Sequence, residues 1–187
     1  MNVPIDITGV VLNTERLTLR PWCQDDLDDL YEYASVAGVG EMAGWNAHTS
    51  IDESRKILDM FINGKKTFAI EFSGKVIGSL GIEEYPERHF PEYERLRCRE
   101  LGFVLAKPYW GRGLIAEAVR AVLKWLFEDI GLDTVFCAHF VENAQSARVQ
   151  EKLGFSHIGF YDSTPPIGEV KRINARVLTK PMYFNRC

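Results

Sequence analysis

Two glycines, one glutamate and an asparagine–serine pair carry residue types and spacings that suit chemistry. Gly111 and Gly113 flank Arg112 in "YWGRGLIAEA", just ahead of an amphipathic stretch. Without side chains, glycines let successive N–H groups converge on an anion, and the dipole of a following helix adds to that pull. Arg112 adds a cation, so the stretch suits a phosphate or pyrophosphate. A bare strand-to-helix turn needing φ > 0 is the competing reading of the glycines alone. A dinucleotide fingerprint GxGxxG or a P-loop GKS/GKT is not present there: the chain offers only GxG, in mid-chain.

Glu100 lies in "RELGFVLA", two residues before Gly102. In a strand those two share a face that excludes Leu101 and Phe103. A carboxylate there suits a general base, or an edge pair with Arg97 or Arg99. Glu83 and Glu84 are weaker candidates, since alternation turns one of them to solvent. Asn143 and Ser146, three apart, fall on one helical face, and Asn143 is also a good N-cap. Trp45 and His48, in the Gly-rich "AGVGEMAGWNAHTS", could line an acceptor pocket with Glu84. A lone histidine is more often an ordinary hydrogen-bonded loop residue.

Periodicity supplies the elements that must position these groups. "LNTERLTLRPW" alternates as one strand ending at Pro21. "QDDLDDLYEYAS" predicts a helix with an acidic first turn and Leu27, Leu30 and Tyr31 on one face. Ser50 and Glu53 form a capping box for a second helix. Thr67–Phe72 and Val76–Tyr85 make a hairpin about Ser-Gly. A polar loop with two prolines leads to "RELGFVLA". Helical spacing then runs over 113–130 to Gly131, and "TVFCAHFV" is apolar enough for a strand buried on both faces. "NAQSARVQEKL" is a short helix closed by Gly154, and "FSHIGFYD" and "INARVLTKPMYF" are two last strands. The order βααβββαβαββ describes an α/β (α+β) chain of about seven strands and four helices. Its unit from Arg99 to Val141 predicts a parallel pair with a right-handed crossover in a sheet otherwise mostly antiparallel.

At 187 residues, 46% hydrophobic and 26% charged, the chain reads as one soluble domain over 1–187. A net charge of −4 argues against direct nucleic-acid binding. No apolar run is long enough for a membrane span, and the N-terminus lacks signal-peptide features. Cys23, Cys98, Cys137 and Cys187 are scattered, without CxxC or a nearby histidine, so the expectation is a cytoplasmic protein with incidental thiols and no metal.

Five pieces stand in order: "ELGF", "WGRG", "EA", "NAQS" and "KLGF". With "TERLTLRP" and "FAIEFSGKVIGSLGI" they make nearly the whole chain resemble the GNAT superfamily of acetyl-CoA-dependent N-acyltransferases, in particular the branch that acetylates ribosomal-protein N-termini. Trp110 and Ile115 depart from the superfamily's general phosphate signature, Trp110 being usual for the branch. Gln150 stands where many members carry a tyrosine used as general acid, and an amide cannot give up a proton.

The resemblance implies a GNAT fold with a splayed parallel pair that admits acetyl-CoA. It assigns the pantetheine arm to the backbone of Phe103, Val104 and Leu105, and the pyrophosphate to the turn spanning Trp110, Gly111, Arg112, Gly113, Leu114 and Ile115. It makes Asn143 a cofactor contact and sets Ser146 to hydrogen-bond the CoA sulfur. The implied reaction is direct attack of a neutral amine on the thioester, with Glu100 as base and a backbone N–H near Phe103 or Val104 for the oxyanion. At pH 7 an α-amine of pKa ~7.8 is roughly 15 % neutral and a lysine about 0.04 %, so an N-terminal amine needs less help. A protein N-terminus is therefore the expected acceptor. A small amine (polyamine, amino acid or antibiotic) and a non-catalytic CoA-sensing module are the alternatives. Arg88–Arg99 could clamp the adenosine 3′-phosphate or an acidic peptide, or lie solvated. Monomer and homodimer both stay open.

Overall fold

The structure, a computed structural model, describes residues 1–185. Its frame is one sheet of eight strands in the order β1-β2-β3-β4-β5-β6-β8-β7. The strands are β1 (Leu12–Asn13), β2 (Leu17–Pro21), β3 (Thr67–Phe72), β4 (Lys75–Glu83), β5 (Cys98–Leu105), β6 (Thr134–Phe140), β7 (Ser156–Ser163) and β8 (Lys171–Thr179). Five α-helices accompany them: α1 (Leu27–Ala34), α2 (Ile51–Gly64), α3 (Leu114–Lys124), α4 (Ala144–Lys152) and α5 (Lys180–Phe184). All strand pairs are antiparallel except β5 with β6.

The count exceeds the expected seven and four for two local reasons. The first expected strand is a hairpin: Leu12 pairs with Leu19, Thr14 N donates to the Leu17 carbonyl, and Leu17 N donates to Thr14 Oγ1. The last expected strand stops at Thr179, whose Oγ1 accepts from Met182 N, and Pro181 in the first turn suits the helix that follows. Other signals hold. Ser73 and Gly74 turn the β3–β4 hairpin with φ of 52° and 80°, as a two-residue loop with both central φ positive requires. Ser50 caps α2 by accepting from Glu53 N, while Glu53 reaches back to Thr49 N rather than to Ser50. In α1 the buried face is Leu27, Leu30, Tyr33 and Ala34; Tyr31 is only half-buried.

Helices cover both faces. Helices α1 and α2 bury Leu30, Tyr33 and Leu58 against Ala69 and Val76. Helix α3 buries Ala118, Val119, Val122 and Leu123 in the larger core, with Leu19, Ile70, Leu101 and Val135. Its last turn widens over Trp125–Asp129, Ile130 N donating to Trp125 O, before Gly131 ends it at φ 75°. A third cluster, Tyr85, Phe90, Cys98, Phe136, Ala175 and Val177, lies where residues 85–97 fold over β6 and β8. The first residues hold that loop: Cys98 N donates to Met1 O and Tyr85 N to Asn2 Oδ1.

The parallel pair matters most for function. Its register runs from Cys98/Thr134 to Leu101/Cys137 and then stops. Beyond that point β5 keeps β4 on one side as far as Leu105, and β6 keeps β8 as far as Phe140. The two strands splay there, and backbone polar groups face the opening instead of each other.

Candidate active site

A cleft of ≈ 630 Å³ passes through the splay. Register tells which residues face which way. Leu101, Phe103 and Leu105 share the α3 side with Val135 and Cys137, whereas Glu100 and Gly102 share the opposite side with Phe136, Ala138 and Phe140. The cleft therefore has two ends, one under the N-termini of α3 and α4 and one among residues 36–44, β7 and β8.

The helix end is built from backbone. Gly111 and Gly113 have φ of 74° and 78°, values that favour glycine, and a side chain at Gly111 would meet nothing within 4 Å. Both line the cleft with Trp110, Leu114 and Ile115. Trp110 Nε1 donates to the Leu105 carbonyl at 2.6 Å, tying the turn to the end of β5. From below, Glu117 accepts from Thr14 Oγ1 (2.6 Å), Arg16 N (2.9 Å) and Arg16 Nε (2.7 Å), and Arg16 also donates to the Arg112 carbonyl. Burial raises the Glu117 pKa, but those donors outweigh it and hold the carboxyl below its usual range.

Arg112 does not do what its position in the motif suggested. It is exposed, and its guanidinium lies over Phe72 (5.0 Å) and Tyr109 (5.4 Å), outside the cleft lining. Cation–π contact with two rings holds it there. The cations that line the cleft are Arg148 and Lys152, four residues apart on α4. That helical spacing was the available signal.

Asn143 and Ser146 line the cleft together. Asn143 caps α4, its Oδ1 accepting from Ser146 N at 3.0 Å, and its Nδ2 donates to Met42 O at 3.2 Å. Gln150, fully buried, settles the direction of the Ser146 hydroxyl. Its Nε2 donates to the Ala138 carbonyl and to Ser146 Oγ, both at 3.1 Å. Only an NH₂ can face that carbonyl, so Oε1 must face His139 Nδ1 at 2.9 Å, which carries the proton. Ser146 Oγ is then an acceptor from Gln150, and its own proton is left to donate elsewhere.

At the other end Glu100 is half-buried, and its carboxyl has no hydrogen bond or ion pair with a described side chain. Arg97 instead donates to the Ile130 and Gly131 carbonyls and Arg99 to the Val3 carbonyl. Glu83, directly across from Glu100, is held by Lys66. Burial, then the negative Glu83, pushes Glu100 up to about 8.

The expected acceptor residues fare differently. Glu84 is exposed and outside the cleft lining, because alternation turns Glu83, not Glu84, to the Glu100 face. His48 is buried, its Nδ1 2.7 Å from Ser54 Oγ, and its ring lies tilted by 46° against Trp45, centroids 5.2 Å apart; neither lines the cleft. Trp45 covers Gly40, where any Cβ would strike the indole at 2.2 Å. The same loop reaches the cleft through Val39, Met42 and Ala43. Arg88–Arg99 lies at this end, with His89 stacked on Tyr161 at 4.3 Å, and so not beside the glycine turn. Cys137 is buried, and burial pushes its thiol well up, which leaves no thiolate for nucleophilic chemistry. Among the described residues no three His, Cys, Asp or Glu side chains cluster for a metal.

Residues 16–156 match the family described as the acetyltransferase (GNAT) domain. The chain belongs to the GNAT acetyltransferase family. It is an acetyl-CoA-dependent N-acetyltransferase by that membership. "Uncharacterized N-acetyltransferase p20" of Bacillus licheniformis is 26% identical over 155 residues, 79% of this chain and 83% of the relative. Spermidine N(1)-acetyltransferase of Escherichia coli K12 is 23% identical over 140 residues, 74% of this chain and 72% of the relative. Among solved structures, a GNAT acetyltransferase from Bacillus anthracis shares the fold at TM-score 0.79 and 23% identity, covering 92% of this chain and 99% of that one. Spermidine N-acetyltransferase from Vibrio cholerae, in complex with CoA and spermine, does so at 0.73 and 20%, covering 92% and 100%.

Proposed function

We propose that this GNAT enzyme transfers acetyl from acetyl-CoA directly to a primary α-amine, that of a protein N-terminus. The observation that carries the reading is Glu100: an unpaired carboxyl at the splay whose pKa of about 8 matches that of an α-amine near 7.8. A base so poised accepts a proton from an α-ammonium with little cost, whereas a lysine near 10.4 is a poor match. The motif resemblance to the branch acting on ribosomal-protein N-termini favours the same acceptor. The unbridged thiols of Cys23, Cys98 and Cys137 suit a cytoplasmic setting.

The residues fit acetyl-CoA. Gly111 and Gly113 leave room for phosphate oxygens against backbone N–H groups, with Trp110, Leu114 and Ile115 completing the turn. Arg148 and Lys152 add the positive charge. Phe103, Val104 and Leu105 offer an edge without a neighbouring strand to the pantetheine arm and an N–H to the thioester oxygen. When bound, acetyl-CoA supplies the activated acetyl group and a thiolate leaving group. Ser146, its proton directed away from Gln150, donates to that sulfur; no acid is required of Gln150.

A second reading, a small polyamine acceptor, is favoured by the likeness to spermidine acetyltransferases. Initial rates of CoA release separate the two. An α-amino peptide should be turned over, and the same peptide with a blocked N-terminus and one lysine should not. Faster release with spermidine than with the free peptide would overturn the α-amine reading. Ping-pong kinetics would overturn direct transfer.

A further inference from the structure

We infer that the amine-bearing carbon of the acceptor carries an apolar side chain, received in a pocket over Gly102. The inference rests on the α-amine reading and deepens it. Three facts of the fold lead to it.

First, Phe140, Ile173 and Tyr161 are cross-strand partners on β6, β8 and β7, so their side chains form one row on the Glu100 face. Second, two loops roof that row. Val39 and Met42 come from one and Pro165 from the other. The loops are bound to each other, Ile167 N donating to Gly44 O at 2.9 Å, and Gly44 sits so near Pro165 and Phe140 that a Cβ there would be 2.8 Å and 3.2 Å from them. Asn143 ties Met42 to α4. The roof is thus fixed to the cofactor end. Third, the floor beside Glu100 is bare: Gly102 pairs with Gly81, and a Cβ at Gly102 would meet nothing within 4 Å.

Charge then selects the occupant. Among the described residues lining the cleft, Glu100 is the one carboxyl. A single carboxyl accommodates one ammonium. A polyamine or an N-terminal lysine would bring a second cation among Phe140, Ile173 and Pro165, where Lys171 already lies over the Phe140 ring and takes up Glu142 and Glu169, so the newcomer meets like charge. An N-terminal aspartate would bury a carboxylate beside Glu100. A leucine, methionine or phenylalanine side chain instead gains apolar contact.

The test uses the purified full chain, saturating acetyl-CoA and peptides that differ only in their first residue: Leu, Met, Phe, Asp or Lys, with spermidine as a further amine. CoA release should show kcat/KM about 10- to 100-fold higher for the three apolar peptides than for the Asp or Lys peptide. Equal or reversed values among the peptides overturn the pocket while leaving the α-amine reading intact. Release with spermidine and with no peptide overturns both, as does release with no amine. Gly102→Val should raise KM for the Leu peptide about tenfold and leave KM for acetyl-CoA unchanged. Met42→Asp, on a side chain 47% exposed, should shift preference toward the Lys peptide. Failure of both variants to alter selectivity overturns the pocket.

Discussion

Glu117, beneath the glycine turn and outside the cleft lining, and Glu100, which lines the cleft, are treated in opposite ways. Glu117 is surrounded by donors from Thr14 and Arg16 and holds its charge below the usual range. Glu100 faces another glutamate, has no donor, and is pushed up to about 8. Burial raises the pKa of both, and far more at Glu100, where the negative Glu83 adds to it. The distinction is whether the fold supplies hydrogen bonds to the charged form. Beneath the glycine turn the fold supplies three such bonds; at the splay it supplies none.

Removing the unsatisfied carboxyl breaks the contrast most severely. Glu100→Gln should lower kcat/KM by about 10²–10⁴ and abolish the rise of kcat with pH centred near 8. The same variant should be more stable than the parent in alkaline solution. An acid whose folded pKa exceeds its unfolded value binds more protons when folded. Its stabilising effect is therefore present below about pH 4.5 and lost as pH rises to about 8, by up to ~1.4 kcal/mol per pH unit. Urea titrations of parent and variant at pH 5 and pH 8.5 should diverge only at the higher pH. A parallel offset at both would mean that Glu100 ionises normally.

The next effect concerns the serine hydroxyl that lines the same cleft as Glu100. Ser146→Ala removes the hydroxyl whose proton Gln150 leaves free, and kcat should fall about 10- to 100-fold with KM for acetyl-CoA changed little. Gln150→Leu leaves Ser146 in place but frees its rotor and strands His139 Nδ1 and the Ala138 carbonyl. It should lose part of kcat together with about 1–3 kcal/mol of stability. A Ser146→Ala enzyme within threefold of the parent would remove the serine from the chemistry.

Disarming the satisfied carboxyl tests the other side. Glu117→Gln keeps the shape but weakens the charge-assisted bonds to Thr14 and Arg16, at about 1–3 kcal/mol. Because the folded pKa is depressed, that contribution is present above about pH 4.5 and lost as pH falls further. Parent and variant should therefore converge in acid and differ at neutral pH, the reverse of the Glu100 pair. Convergence at pH 7 would show that Glu117 is an ordinary surface charge.

Which of these features could be read from the sequence follows from how far apart the deciding residues lie. Gly111, Gly113 and the Asn143 cap depend on neighbours a few residues away, and local pattern revealed them; the β5–β6 crossover followed from the strand–helix–strand order. The shared face of Glu100 and Gly102 follows from strand alternation alone. The β1–β2 turn was hidden because only the odd, five-residue step from Leu12 to Leu17 breaks the alternation there. Trp45 and His48 were misread because a loop's polarity does not say which side it buries; Gly40 and Ser54 decided that. Gln150 was legible as a missing acid but not as the group that orients Ser146, since its other partners are on β6.

The smallest effect is the most discriminating about the cofactor end. Arg112 sits inside the glycine motif yet lies over Phe72 and Tyr109, and Arg148 and Lys152, 36 and 40 residues later, line the cleft. If proximity in sequence ruled, Arg112→Ala would raise KM for acetyl-CoA most. The geometry gives the opposite order. Arg148→Ala and Lys152→Ala should each raise KM for acetyl-CoA about three- to tenfold, with kcat unchanged and a weaker dependence on ionic strength. Arg112→Ala should stay within about twofold, its loss confined to an exposed cation–π contact of ~0.5–1 kcal/mol. A larger effect at Arg112 than at Arg148 would mean that the guanidinium leaves its aromatic shelf when the cosubstrate arrives.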